Sequence, residues 1–335
     1  MKRIATYDIL KGLGIIFVIL GHITRNADLG RCIYAFHMPL FFFISGVVYH
    51  KKEKFIWKQF KGLMIPYFIF SILSFLYWFL IELHFREKRD GTNVLDQLLN
   101  IVYPMNMQGG YEFNIVLWFL PCLFITSTIY HLCRSRICNK WLNVVLLLVS
   151  IIFTIMVKIK LPFFLYEMFY ALQFYICGVI YSEVKLNSEL FSPAKNKKIL
   201  WFRIFGGILC MCGVFTYILL TSMNGNMQNT SYSQGYFIFF ICAILLILSL
   251  LEMTTDIKSV KPLQWLGINS LCIMLVHEPL KRIIIKAYSI VISVDVESVR
   301  ISLFHTFVLL IIVLVVSALI TATINKYAKF LIGKF

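Results

Sequence analysis

The chain of 335 residues is 60% hydrophobic and 14% charged, and its mean hydropathy is +0.81. A soluble protein of this length needs more charge to cover its surface, so the composition excludes a soluble domain and indicates a polytopic membrane protein. The net charge of +16 does not indicate a nucleic-acid partner, because the basic residues lie between apolar runs and do not alternate with aromatic residues on a polar stretch. Membrane lipids are the expected surroundings.

Apolar runs long enough to cross a bilayer recur along the whole chain. They predict an all-α polytopic membrane protein with about ten transmembrane helices, in a single integral-membrane domain of residues 1–335. In chain order the predicted spans are 9–23, 33–49, 61–84, 116–133, 142–158, 163–182, 199–220, 234–252, 264–280 and 301–324.

The distribution of lysine and arginine predicts the orientation of these spans. With the N-terminus in the cytoplasm, the inner segments carry 19 basic residues and the outer segments carry 11. Both termini are therefore predicted to be cytoplasmic, and the protein is expected to be a multi-pass protein of the cytoplasmic membrane. The outer segment 85–115 is long enough to cap or line an external cavity.

The first predicted span contains three ionisable residues, Asp8, Lys11 and His22. Lys11 and His22 are separated by close to three helical turns, so they share one face and lie about 16 Å apart along the axis. Exposing such a face to lipid costs about 3 kcal/mol or more, so we expect it to face the protein interior or a wet cavity. Alternatively, Lys11 reaches the inner headgroups and His22 marks the outer interface.

Polar residues of two other spans are predicted at the level of His22. His37 lies early in the second span, and His277 and Glu278 lie late in the ninth, which places all of them in the outer half of the membrane. Three histidines at one depth favour proton transfer, because histidine titrates near neutral pH. A single histidine at this depth is otherwise typical of an interfacial or structural hydrogen bond.

Basic residues gather at the inner end of the predicted bundle. Lys58 and Lys61 precede the third span and are one helical turn apart. Together with Lys11 they are suited to hold the phosphates of an anionic cofactor. The simpler interpretation is that these lysines follow the positive-inside rule.

Five segments resemble, in order and spacing, the membrane-bound acyltransferase-3 family of bacterial O-acetylases. They are YDILKGLGIIFVILGH, YAFHMPLFFFISGVVYHKK, KQFKGLMIPYFIF, LWFLPCLF and WLGINSLCIMLVHEPL. The resemblance is greatest to the fucose 4-O-acetylase-like branch and extends from residue 3 to about residue 280. The family's basic residue and histidine match Lys11 and His22, and its arginine pair maps onto Lys58 and Lys61. Lysine offers a point charge at the latter positions, where arginine offers a bidentate fork.

The resemblance implies transfer of an acyl group, usually acetyl from cytoplasmic acetyl-CoA, to a hydroxyl of a cell-surface or lipid-linked glycan. His22 would be the general base, and a neighbouring acidic or histidine side chain would orient it. The expected catalytic residues are His22, Asp8, His277 and Glu278, the expected acyl-CoA-binding residues are Lys11, Lys58 and Lys61, and the expected acceptor-binding residues are His37, Ser45 and Asn269. No metal is expected, because the sequence lacks the spacing of metal ligands.

A different class of function stays open at this point. In an exporter or flippase of polysaccharide or lipid-linked sugar, the same polar stripe would line a translocation path. A membrane module without chemistry of its own is a further alternative. The basic residue and the histidine on one face favour the enzyme, because a carrier needs no base opposite a cofactor site.

Overall fold

The computed structural model describes residues 4–85, 93–103, 111–137, 141–157, 161–187, 196–257 and 259–334. Residues 86–92 and 104–110 of the predicted outer segment lie outside these ranges, as does the last residue of the predicted fifth span, 142–158. The described ranges are mainly helical, and their one sheet is a two-stranded hairpin. The predicted all-α class is therefore confirmed.

The helices are bounded as follows. They are α1 (Ala5–Ile23), α2 (Ala27–Tyr34), α3 (His37–Val47), α4 (Phe55–Gln59), α5 (Ile65–Tyr77), α6 (Leu83–Phe85), α7 (Val94–Val102), α8 (Phe119–Arg136), α9 (Leu142–Met156), α10 (Leu165–Asn187), α11 (Lys197–Leu220), α12 (Tyr236–Thr254), α13 (Lys261–Ile268), α14 (Ser270–Ile292), α15 (Val296–Ile301) and α16 (Leu303–Tyr327). One-turn π segments, Phe60–Met64 and Trp78–Glu82, flank α5. Short 3₁₀ turns cover Ile115–Trp118, Pro162–Phe164 and Lys329–Ile332. The hairpin pairs β1 (Gly225–Asn226) with β2 (Ser231–Tyr232).

Eight helical segments in the described ranges are long and apolar enough to cross a membrane. They are Ala5–Ile23, Ala27–Val47, Phe55–Glu82, Ile115–Arg136, Pro162–Lys185, Lys197–Leu220, Tyr236–Thr254 and Leu303–Tyr327. Two further helices occupy predicted spans: α9 is apolar but has only 15 residues, and α14 has 23 residues of which several are charged. Within the described ranges, eight of the predicted ten spans are thus supported by length and composition, and the fifth and the ninth stay predictions.

The predicted bounds of the ninth span, 264–280, are wrong. The segment is divided at Asn269 into α13 and α14, and α14 continues through Pro279 as far as Ile292. Hydropathy ended the prediction at the basic residues that follow Pro279, whereas in the fold these residues lie on the helix. About 21 Å of helix extends beyond Glu278 at the rise of an α-helix, so the polar pair is not at the outer end of its helix as predicted.

Both ends of the chain lie at the same end of the helix bundle. Gly267 of α13 packs on the carbonyl of Asp8, and Asn269 bonds Asn325 at 2.8 Å through their side chains. Lys334 in turn reaches the side chain of Asn325 at 3.4 Å. This arrangement requires an even number of crossings, as predicted. We call this end of the bundle the inner end and the opposite end the outer end.

Glycines allow α1 to approach α13 very closely. A Cβ atom on Gly267 would lie 1.8 Å from the carbonyl oxygen of Asp8, and one on Gly12 would lie 2.1 Å from that of Leu263. Small residues at helix interfaces permit such backbone contacts in membranes, where packing replaces the hydrophobic effect between helices. This contact fixes α1 against the segment that leads into α14.

Gly267→Ala is expected to destabilise the protein, because the added methyl group can be accommodated only by moving α13 away from α1. Overpacking of this kind costs about 1–3 kcal/mol. The matched control is Gly213→Ala on α11, where an added Cβ atom meets nothing within 4 Å and helix propensity favours alanine. Thermal unfolding of the two purified variants in detergent measures the difference. Equal midpoints would contradict the tight α1–α13 contact.

Candidate active site

His22 lies in the last turn of α1, at the outer end of the bundle. Its side chain is 15% exposed and faces a cavity of about 850 Å³. The cavity is also lined by Tyr111, Glu112 and Ile115, which belong to the predicted outer segment 85–115. The described part of this segment therefore lines a cavity, whereas the external position of that cavity stays a prediction.

A carboxylate from a distant part of the sequence lies next to His22. The Nδ1 atom of His22 is 3.8 Å from Oε2 of Glu278, whose side chain is only 2% exposed. This distance is longer than a hydrogen bond but within the range of an ion pair. A movement of less than 1 Å would let Nδ1–H donate to Glu278, leaving Nε2 of His22 as the atom with a free lone pair.

Two cations hold Glu278 in its charged form. Lys281 donates to both carboxylate oxygens at 2.8 Å, and Arg282 donates through Nε to Oε1 at 3.3 Å. Arg282 also makes a bidentate pair with Glu82 at 2.8 and 2.9 Å. A buried charge is tolerated only when it is paired, so this network explains how a carboxylate can lie beside His22 in the interior.

His277 lies directly behind this pair. Its ring centroid is 5.5 Å from that of His22, and the residue is fully buried. Nδ1 lies 2.7 Å from the carbonyl of Met274, so this nitrogen carries the proton and donates. Nε2 is buried without a hydrogen-bond partner among the described residues. His22 faces the cavity, whereas His277 is not part of its lining.

The third predicted histidine is separated from the cavity by an aromatic ring. His37 is 2% exposed and donates from Nδ1 to the carbonyl of Ile33 at 2.9 Å. The ring of Tyr34 stands edge-on to it at 4.9 Å, and Tyr34 itself lines the cavity. The structure thus brings His37 close to the site but places it behind Tyr34.

Ser45 and Asn269 are not brought to the outer cavity. Ser45 lies two turns further along α3 than His37 and donates to the carbonyl of Phe41 at 2.7 Å. Asn269 lies at the inner end and bonds Asn325. Their predicted contact with the acceptor stays a prediction, and their positions bring them nearer to the inner end than to His22.

The predicted acyl-CoA residues lie at or near the inner end. Lys11 is half-buried on α1, Lys58 is exposed, and Nζ of Lys61 is 5.4 Å from the centre of the Trp57 ring. Asp8, which was predicted to be catalytic, is buried in the first turn of α1, about 21 Å along the helix axis from His22, so the structure does not bring it to the base. Two cavities of about 700 and 390 Å³ open at this end, and the three predicted lysines line neither of them. The lysine and arginine side chains that line these two cavities are Lys51, Lys54 and Arg134, which no sequence motif singled out.

The cluster has a donor set that could ligate a metal ion. Donor atoms of His22, His277 and Glu278 lie within 4.8 Å of one another. Sequence spacing did not reveal this set, because the ligands come from two helices. Lys281 and Arg282 already neutralise the carboxylate and would repel a divalent cation. A histidine oriented by a carboxylate therefore accounts for the arrangement better than a metal centre does.

A helical membrane bundle with a buried histidine–carboxylate pair at the wall of a cavity is suited to proton transfer in a group-transfer reaction. The sequence profile of the acyltransferase-3 family, described as an acyltransferase domain, matches residues 4–323. The chain therefore belongs to this family of acyltransferases.

Nodulation protein NolL of Sinorhizobium fredii is 25% identical to this chain, in a match that covers 63% of this chain and 57% of that protein. The match thus covers less than two thirds of the relative's length. No solved structure matches the chain.

Proposed function

We propose that this protein transfers an acyl group, acetyl in the first instance, from acyl-CoA to a hydroxyl of a cell-surface or lipid-linked glycan in the cytoplasmic membrane. Membership of the acyltransferase-3 family supports acyl transfer in general. The observation that carries the finer proposal is the pair formed by His22 and the buried Glu278 at the outer cavity. No such pair is needed by a protein that only moves glycans.

His22 acts as the general base in this proposal. A sugar hydroxyl is a poor nucleophile at neutral pH, so Nε2 of His22 removes its proton as the hydroxyl oxygen attacks the thioester carbonyl. The bond from the carbonyl carbon to sulfur breaks, and His22 passes the proton to the departing thiolate. One proton moves from the acceptor to the thiol, and no oxidant, reductant or metal is required.

Glu278 orients the base. With Nδ1–H directed at the carboxylate, His22 presents Nε2 to the cavity, and the carboxylate stabilises the imidazolium that forms during the reaction. Lys281 keeps the carboxylate charged, so that it accepts this hydrogen bond and does not compete for the proton. His277 packs against His22 and restricts the position of its ring.

The donor is proposed to reach His22 from the inner end. Lys11, Lys58 and Lys61 provide positive charge there for the phosphates of acyl-CoA, and Asp8 lies one turn from Lys11 on α1. Lys11 and His22 share one face of a continuous helix, about 16 Å apart, so a thioester arm that follows this face leads from the phosphate site to the base.

The proposal is tested with the full-length protein in lipid vesicles, supplied with acetyl-CoA labelled in the acetyl group and with glycan extracted from the cell envelope. Acyl transfer predicts labelled glycan and release of one thiol for each acetyl group transferred. An exporter or flippase predicts movement of glycan across the vesicle with the label still on CoA, and this result would overturn the proposal.

Replacing Lys11, Lys58 or Lys61 by glutamine is expected to weaken acetyl-CoA binding while leaving glycan binding nearly unchanged. Loss of one charged contact corresponds to about a tenfold change in the dissociation constant. The measurement is equilibrium binding at low salt, where electrostatic contacts are strongest. Lys198→Gln, at an exposed inner position of α11, is the matched control. Unchanged donor affinity in all three variants would contradict the assignment.

A further inference from the structure

The wall of the outer cavity is unusually rich in positive charge. It includes five cations, Arg25, Lys281, Arg282, Lys286 and Arg300, and three carboxylates, Glu82, Glu112 and Glu278. Lys281 and Arg282 are committed to Glu278 and Glu82. For Arg25, Lys286 and Arg300, no carboxylate lies within salt-bridge distance in the described part of the chain. The cavity wall therefore carries two more cations than carboxylates.

Arg300 connects this charge to the base. Its Nη2 donates to the carbonyl of His22 at 2.9 Å, and its Nε donates to the carbonyl of Ile23 at 2.8 Å. Within the described residues its remaining nitrogen, Nη1, has no hydrogen-bond partner. An anion bound to Nη1 would thus lie beside the residue that carries the proposed base.

Arg25 and Lys286 extend the charge around the opening of the cavity. The backbone N–H of Arg25 donates to the carbonyl of Arg300 at 2.8 Å, which holds these two residues next to each other. Lys286 lies two turns beyond Glu278 on the same helix and is exposed. The three cations thus come from the α1–α2 connection, α14 and α15.

Membrane topology does not account for this cluster. Lysine and arginine are disfavoured on the outer side of a membrane protein, and the predicted topology of this chain follows that bias, with 19 basic residues inside and 11 outside. All five cations of the cavity wall belong to the smaller outer group. Their concentration around one cavity opposes the general bias and points to a ligand of negative charge.

We infer that the outer cavity binds an acceptor bearing an anionic group, a carboxylate or a phosphate, close to the hydroxyl that is acylated. Arg300 and Lys286 bind this group, and Arg25 strengthens the field at the opening. The inference rests on the proposed function for the role of the ligand as acceptor, but the binding site itself does not depend on catalysis. The carboxylate of a uronic-acid glycan and the pyrophosphate of a lipid-linked sugar share this chemistry.

The test is equilibrium binding of three probes to the full-length protein in detergent. They are a uronic-acid oligosaccharide, the same oligosaccharide with its carboxyl groups reduced to alcohols, and a neutral disaccharide on polyprenyl pyrophosphate. At low salt, at least one anionic probe is expected to bind about tenfold or more tightly than the reduced oligosaccharide, and the advantage is expected to shrink as salt is added. The probe that binds identifies the source of the negative charge.

Charge-removing variants distinguish a specific anion site in the cavity from an effect of the protein's overall positive charge. Arg25→Gln combined with Lys286→Gln removes two exposed charges and is expected to abolish most of the preference for the anionic probe without loss of thermal stability. Arg31→Gln is the matched control, because Arg31 lies on outer helix α2, pairs with Asp28 at 2.8 Å and does not line the cavity. Equal binding of charged and neutral probes, or an equal loss in the control, would overturn the inference.

Acyl transfer measured beside binding separates this inference from the proposed function. Efficient acetylation of the neutral oligosaccharide, with no preference for charge, would refute the anionic subsite and leave the acyltransferase proposal intact. Preferential binding of an anionic probe without transfer from acetyl-CoA would refute acetyl transfer and leave the subsite intact.

Discussion

His22→Ala is expected to lose acyl transfer by about 10²- to 10⁴-fold, which is the contribution of a positioned general base. Folding and acetyl-CoA binding should be retained, because the side chain faces a cavity, and after its removal His277 keeps its bond to Met274 and Glu278 keeps its bonds to Lys281. The measurement is transfer of labelled acetyl groups, normalised to the amount of folded protein. The effect arises because no other side chain in the described cavity wall has a neutral imidazole to accept the proton.

Two further histidine variants serve as controls. His305→Ala removes a histidine that lies at the outer end but does not line the cavity; its ring is hydrogen-bonded to Tyr288 at 2.9 Å. This variant should leave turnover per folded molecule nearly unchanged. His277→Ala should lower turnover less than His22→Ala, because His277 supports the ring of His22 from behind. Near-normal turnover in His22→Ala, with total loss confined to His277→Ala, would move the base to α14.

Glu278→Gln is expected to lower both stability and turnover. Glutamine has nearly the same shape but no charge, so the buried Lys281 loses its counter-ion, and breaking a buried pair in this way costs about 3–5 kcal/mol. The variant also leaves His22 without the carboxylate that orients it, as in triads in which the acidic member is replaced by its amide. Thermal unfolding and normalised transfer measure the two effects separately.

A second substitution distinguishes orientation of the base from support of the fold. Adding Lys281→Met to Glu278→Gln removes both charges of the pair, and replacing a buried ion pair with neutral groups recovers stability. Turnover should stay low, because His22 still lacks its carboxylate. Recovery of turnover together with stability would show that Glu278 acts only in folding.

The arrangement of α14 explains why charged residues can lie in this part of the bundle. Glu278, Lys281 and Arg282 follow one another at the spacing of helical neighbours, and Arg282 continues the network to Glu82 on the third span. Each of these charges thus has a partner of opposite sign in the protein interior, where burial without one would be costly. Lys281 and Arg282 are occupied by these ion pairs, whereas Arg300 and Lys286 are the cations proposed to bind a ligand.

Local sequence determined several features of this protein. The apolar runs were sufficient to predict a helical membrane protein with about ten spans, because a span must satisfy its backbone hydrogen bonds internally and present about 20 apolar residues to lipid. Helical periodicity alone placed Lys11 and His22 on one face of α1. The order and spacing of the five motifs indicated the acyltransferase-3 family.

Tertiary structure alone decided how the site is assembled. Hydropathy treats each charge as isolated, so it ended the ninth span at Leu280 and could not foresee that Glu278 neutralises the cations that follow. The approach of His22 to Glu278 joins helices that are distant in sequence. Tyr34 and His37 are close in sequence, but only the packing of α2 and α3 decides that Tyr34 lines the cavity and His37 lies behind it. Such contacts are set by helix packing, including the glycine contact between α1 and α13, and this packing leaves no periodic signal in the sequence.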